Sequence, residues 1–340
     1  MKKRQYPTLD IFRIVAAFFV VAIHTSVLSS FSENADFFLT GILCRTAVPF
    51  FFMVSGFFVM PQIAKHFYTI IQTQKKLGIL YVAAILLYLP LNIYAGQYFF
   101  QNVPCFLRAV FLDGTFYHLW YFPAIMEGML LLSLLQCFCS KKICFFICLI
   151  LYLIGMGGDS YYGITAKVPV FYSFYEAYFH IGTYTRNGIF FAPVFLCMGW
   201  ILSDFRFHLS LKKSKIVFLI SFGLLALEAG LLHFFSVCRH NAMYLFLLPC
   251  MYGLFCLLLS LPYSRQCVHL RKISMIIYLI HPWVIVLVRV LAQFLHLEAI
   301  FIQQSLFHFG AVASISYGLA VILWNLQKKI QKWHFVAGQR

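Results

Sequence analysis

Apolar runs of about twenty residues follow one another along almost the entire chain, and this recurrence restricts the fold more than any other feature. The hydrocarbon core of a bilayer is about 30 Å thick and an α-helix rises about 1.5 Å per residue, so about twenty apolar residues make one crossing. Inside lipid every backbone N–H and C=O must be satisfied within its own segment, which leaves helices for runs of this kind. Crossings are expected near 11–30, 37–60, 77–95, 116–136, 143–157, 189–203, 215–236, 243–262, 272–295 and 305–326. Composition agrees: 11% of the 340 residues are charged, against roughly 25% in a soluble domain. So little charge cannot cover a water-soluble body of this size. The expected fold is all-α, a polytopic helical membrane bundle with about ten transmembrane helices. No internal repeat or linker divides it, so residues 1–326 read as one transmembrane domain and 327–340 as a basic tail.

A net charge of +16 is of the size seen in nucleic-acid binders, but the basic residues form short clusters between apolar segments, the pattern of a topology signal. With the N-terminus inside and the crossings alternating, nineteen Lys and Arg fall on the inner side, from Lys2–Arg4 through Lys141–Lys142 and Lys212–Lys215 to the C-terminal tail. Four fall outside: Arg108, Lys167, Arg186 and Arg239. Both termini are therefore expected in the cytoplasm. The tail Gln327–Arg340, with Trp333 and Phe335, is expected on the inner leaflet surface. The outer connection 158–188 is the longest and is rich in Tyr, which suggests a functional or covering loop.

Most of the eleven cysteines lie inside apolar segments and none has the paired spacing of a zinc site, so they read as small hydrophobes. Cys105 and Cys238, both in outer loops, leave room for one disulfide. The first apolar segment is too long for a cleavable signal and lacks a small-residue cleavage site, so it is expected to remain as the first span.

Ionisable groups inside a membrane are costly and mark function by default. The first span carries Asp10, Arg13 and His24. Asp10 is placed to cap the helix start and pair with Arg13 one turn on. Arg13 and His24 are eleven positions apart, about 16 Å along the axis and on nearly the same face. Arg13 also reads as a side chain snorkelling to inner headgroups, and His24 as a hydrogen-bonded helix contact. Arg45, in the second span, is expected at about the depth of His24 and facing protein. The fourth span opens with His118, Trp120 and Tyr121, where an interfacial aromatic belt is the plainer reading of Trp120. Glu127 lies near mid-span, Glu228 in the outer half of the seventh, and His281-Pro282 is expected to interrupt the ninth. His24, Arg45, His118 and Glu228 are expected to converge.

Arg13 and His24, with ten residues between them, resemble the first-helix signature of the acyltransferase 3 family of membrane O-acyltransferases. LDIFRIVAAFFVVAIH, RTAVPFFFMVSGFFV, HLWYFPAI, TRNGIFFAPVFLCMGW and SMIIYLIHPW resemble blocks of that family in the same order. The likeness covers nearly the whole chain and is closest to the membrane half of the vancomycin-resistance serine racemases and their stand-alone relatives. Those racemases continue into a pyridoxal-phosphate domain, whereas this sequence ends at Arg340, so racemase activity is not expected. The resemblance implies a bacterial plasma-membrane enzyme moving an acyl group, acetyl above all, from cytoplasmic acyl-CoA to a hydroxyl of a cell-envelope sugar. No metal is expected, and the clustered basic residues leave no nucleic-acid partner expected either. His24 is then the general base, Arg45 and Trp120 donors to the developing oxyanion, Arg13 the clamp on the CoA phosphates, and His118, Arg186 and Glu228 substrate-binding residues. Two other readings compete: a carrier for serine or a similar polar solute, and a catalytically silent module. A carrier could tolerate Gln in place of His24, which an acyltransferase could not.

Overall fold

The computed structural model describes residues 6–97, 100–263 and 266–337, with side chains to residue 331. Among the described residues there is no strand; eleven principal helices carry the fold. They are α1 (Pro7–Thr25), α2 (Ala47–Lys65), α3 (Tyr68–Tyr94), α4 (Tyr121–Phe138), α5 (Lys141–Gly157) and α6 (Pro169–Ile181), followed by α7 (Ala192–Leu202), α8 (Leu211–Phe234), α9 (Leu247–Ser260), α10 (His269–Phe294) and α11 (Ser305–Ala337). Helices occupy each of the expected crossing positions. Seven segments among the described residues are long and apolar enough to cross a bilayer. At the other three positions α5, α7 and α9 have 17, 11 and 14 residues. The protein is a multi-pass membrane protein.

The chain divides into two compact units, residues 1–47 with 261–340, and residues 48–260. In the first, α1, α10 and α11 pack through Ala17, Val21, Ile277, Val284, Val288, Val312 and Ala320. Small residues such as Ala17 and Ala320 let helix backbones approach where lipid supplies no hydrophobic drive. At the end where α1 finishes and α11 begins, Ser30 and Ser305 exchange hydrogen bonds: each backbone N–H donates to the other's Oγ at 3.1 Å. Ser305 Oγ–H also donates to the Val27 carbonyl at 2.7 Å. The chain then reaches α2 through irregular backbone, a π-turn at Phe37–Ile42 followed by a 3₁₀ turn at Leu43–Thr46.

In the second unit, Gly56 of α2 faces the Leu196 carbonyl of α7, and Gly199 of α7 faces the Met53 carbonyl of α2. A Cβ on either glycine would strike backbone, so the two helices are in main-chain contact. In the turn before α7, Asn187 Oδ1 accepts the N–H groups of Ile189 and Phe190 at 2.9 and 3.0 Å. The tyrosines of the 158–188 connection explain its composition, because their hydroxyls fasten it down. Tyr175 donates to the Ile154 carbonyl, Tyr178 to the Tyr184 carbonyl and Tyr161 to Glu228, at 2.7, 2.8 and 2.7 Å.

Several expectations are corrected. The proline at 282 does not interrupt its span, since α10 runs unbroken through it. Asp10 does not cap α1; Tyr6 occupies that position, without a side-chain bond, and Pro7 opens the helix. Cys105 and Cys238 are free thiols. Helix α11 extends to Ala337, which leaves the reading of 327–340 as a basic tail untouched. The basic clusters at Lys2–Arg4 and Arg265, and the side chains of Trp333 and Phe335, lie outside the described residues.

Candidate functional site

At the N-terminal end of α1, Asp10 is 2% exposed. A carboxylate enclosed there needs a close cation, since an unpaired buried charge costs several kcal/mol. Arg271, in the first turn of α10, provides it with a fork: Nε and Nη2 donate to Oδ1 and Oδ2 at 2.7 and 3.0 Å. Arg13 comes second, its Nε 3.7 Å from Oδ1. Two guanidiniums thus share one carboxylate. Arg271 was not singled out from the sequence, although a buried Asp with an Arg in a neighbouring cluster is the signal of a bidentate pair.

At the other end, α1 closes with Ser26 in the left-handed region, φ 48°, its N–H bonded to the Ala22 carbonyl. His24, in the last turn, stacks on His281 of α10, with ring centroids 5.4 Å apart and planes 24° off parallel. His281 is fully buried. Pro282 has no N–H to give the Tyr278 carbonyl four residues back. The His281 ring replaces that donor: Nδ1 is 2.9 Å from the Tyr278 carbonyl and 3.2 Å from that of Ile277. Both partners only accept, so Nδ1 carries the proton and Nε2 presents a lone pair. His281-Pro282 is therefore a self-repairing pair inside a continuous helix.

Arg45 lies on the 3₁₀ turn, and its neighbour Cys44 packs on Ala22 and Val27, which brings Arg45 to the level of the last turn of α1. A cavity of about 400 Å³ opens at this end, lined by His24, Thr25, Ser26, Ser29 and Ser30 and by Arg289, Gln303, Ser305 and His308. Arg289, Gln303 and His308 carry no sequence motif that marks them.

The remaining candidates belong to the second unit. Arg186 stands 5.1 Å from the Trp120 ring and 4.4 Å from that of Tyr184, so the structure brings Trp120 and Arg186 together. His118, 2% exposed, is embedded in rings, its centroid 4.7 Å from Tyr88 and 5.7 Å from Phe116. Glu228 is committed to the fold: Oε1 accepts from Tyr161 and from the Leu245 N–H, both at 2.7 Å, and Oε2 from the Phe246 N–H at 2.9 Å. Those amides immediately precede α9 and lack helical partners. His118 and Glu228 are thus engaged by different neighbours. Glu127 lies against Gly188, where a Cβ would come 2.6 Å from Oε2. Beyond α5, the buried carboxylate of Asp159 accepts the N–H groups of Ala242 and Met243 at 2.8 and 3.0 Å, and burial pushes its pKa up. Among the described residues no cluster of His, Cys, Asp and Glu could hold a metal.

The helices define the class, a multi-pass helical membrane protein; sequence comparison gives the family. The acyltransferase-domain model matches residues 6–325, and the chain belongs to the acyltransferase 3 family. It is 37% identical over 332 residues to an "Amino-acid racemase" of Enterococcus faecalis, and 39% identical over 339 residues to a second protein of that name and organism. It is 37% identical over 329 residues to a "Serine/alanine racemase" of Enterococcus gallinarum. These matches cover 95%, 97% and 94% of this chain but 46% of each relative, so the chain spans about half the length of these curated proteins. No solved structure matches it significantly.

Proposed function

We propose that the protein transfers an acyl group, acetyl above all, from acyl-CoA to a hydroxyl of a cell-envelope sugar or similar acceptor at a bacterial plasma membrane. The reading includes ten crossings with both termini cytoplasmic. The observation that carries it is His24, stacked on a histidine of fixed tautomer and opening on a polar cavity.

In the step, the acceptor oxygen bonds to the thioester carbonyl carbon while His24 takes its proton. The C–S bond then breaks, and the proton is returned to the departing thiolate, giving ester and free CoA. Arg45, at the level of His24, would meet the oxyanion of the tetrahedral intermediate. Arg13, beside Asp10 and Arg271 at the N-terminal end of α1, would meet the CoA phosphates. The length of α1 between Arg13 and His24, about 16 Å, is comparable to an extended pantetheine arm. In the second unit, Arg186 on its aromatic platform with Trp120, and His118 among its rings, remain the positions proposed to contact substrate. Glu228 is the weakest of that group, because three donors already occupy its carboxylate. Incubating purified protein with labelled acetyl-CoA and envelope fractions tests the reading; label transferred to a hydroxylated product supports it, and its absence refutes it.

The name of the Enterococcus gallinarum relative favours a second reading, a carrier for serine. Labelled serine entering proteoliposomes without acyl-CoA would support that one instead.

A further inference from the structure

The cavity beside His24 contains a group that α1 does not explain. His308, in the first turn of α11, is 3% exposed and lines the cavity. Its Nδ1 is 2.7 Å from the Phe301 carbonyl, which can only accept, so Nδ1 carries the proton and Nε2 is a bare lone pair. That Nε2 is buried and has no hydrogen-bond partner among the described residues. A buried acceptor left unsatisfied costs about 1–3 kcal/mol, so the position calls for a donor that arrives from elsewhere. Arg289, from the last turns of α10, lines the same space and is exposed. The lining holds that one permanent cation, the imidazoles of His24 and His308, the amide of Gln303 and several hydroxyls, and no carboxylate. Its chemistry is that of a site for an anion that also donates hydrogen bonds.

We infer that this cavity is the acceptor subsite and that it selects a hydroxylated compound bearing an oxyanion, a carboxylate or a phosphate. Arg289 takes the oxyanion, His308 Nε2 accepts a hydrogen bond from one hydroxyl, and a second hydroxyl faces His24. At about 400 Å³ the space admits one sugar-sized ring. Calling the bound compound the acceptor rests on the acyl-transfer reading; the selectivity does not.

The test is calorimetric titration of the detergent-purified full chain, in phosphate-free buffer, with methyl glucoside, glucuronate and glucose 1-phosphate. One charged probe or both should bind at least about tenfold more tightly than the neutral glucoside, as charge-assisted bonds predict. Tighter binding of glucuronate assigns the carboxylate, and of glucose 1-phosphate the phosphate. Arg289→Gln, at an exposed position that should fold normally, should bring the charged probes to the level of the glucoside, and Arg289→Lys should recover part of the difference. His308→Phe should weaken all three probes. Equal binding of neutral and charged probes, no binding of any, or a preference that survives Arg289→Gln overturns the inference. Labelled acetyl-CoA in the same preparation separates the two claims. A charged probe bound selectively but never acylated refutes acyl transfer and leaves the selectivity standing.

Discussion

At the scale of single residues, what decides a role is whether the group is already satisfied by the fold. His24 is on the cavity wall and on the face of α1 shared with Arg13, a relation that follows from helical periodicity alone. If it is the base, His24→Ala should lose about 10²–10⁴-fold in turnover per folded molecule, with detergent melting temperature near wild type. Wild-type turnover in that variant would end the assignment. Its support from His281 was not legible in the sequence, because stacking depends on how α1 and α10 meet. The same is true of Asp10, whose fork partner Arg271 is 261 positions away. That geometry separates two arginines which the sequence could not. Arg271→Ala removes the closest partner of a buried carboxylate and should cost about 3–5 kcal/mol, read as a large drop in melting temperature. Arg13→Ala leaves Asp10 paired, should cost less than about 1 kcal/mol, and should raise the KM for acyl-CoA far more than for the acceptor. Arg13→Lys should be intermediate, since it keeps the charge and loses the fork. Equal KM effects on both substrates would return Arg13 to a structural role.

Between elements, the second unit depends on close approach and on buried polar ties. Gly56 and Gly199 are each opposed to the other helix's main chain, so Gly56→Ala or Gly199→Ala forces α2 and α7 apart. Each should cost about 1–3 kcal/mol, measured as a lower melting temperature; an unchanged one would mean the contact is loose. Nothing in the hydropathy pattern distinguishes these glycines from Gly223 or Gly230, at which an added Cβ meets nothing within 4 Å. Asp159 shows the opposite kind of tie. Burial raises its pKa, so the folded state binds its proton more tightly than the unfolded chain. Stability from this group is present at low pH and declines as pH rises above about 4. Asp159→Asn keeps an oxygen for the Ala242 and Met243 amides and removes the desolvated charge. It should fold and lose that slope, whereas Asp159→Ala should lose about 1–3 kcal/mol by orphaning the amides. Unfolding at several pH values checks both.

For the whole chain, the helical membrane class was legible because lipid forces backbone bonding into each segment, and the apolar runs record it directly. Segment ends were not, where side chains intercede: Asn187 ties the turn before α7, and Glu228 takes the amides just before α9. Helix α7 has 11 residues, about 16 Å of helix, short of a hydrocarbon core. Whether such a helix counts as a crossing is therefore the question on which the topology turns. The charge distribution argues that it does. If either α7 or α9 failed to cross, the loops following it would change sides, and the inner excess of nineteen Lys and Arg over four outside would break down. Of the four cations expected outside, Arg108 pairs with Asp113 at 2.7 Å, Arg186 lies against the Trp120 and Tyr184 rings, and Arg239 lies over the Phe179 ring at 3.6 Å. Reporter fusions at Ser140 and Ser210 should accordingly read cytoplasmic, and fusions at Gln97 and Asn241 external. A fusion after the last residue should read cytoplasmic as well. An external signal there would mean an odd number of crossings, would place the Asp10–Arg271 cluster and the C-terminal end of α11 on opposite sides, and would overturn the ten-span arrangement.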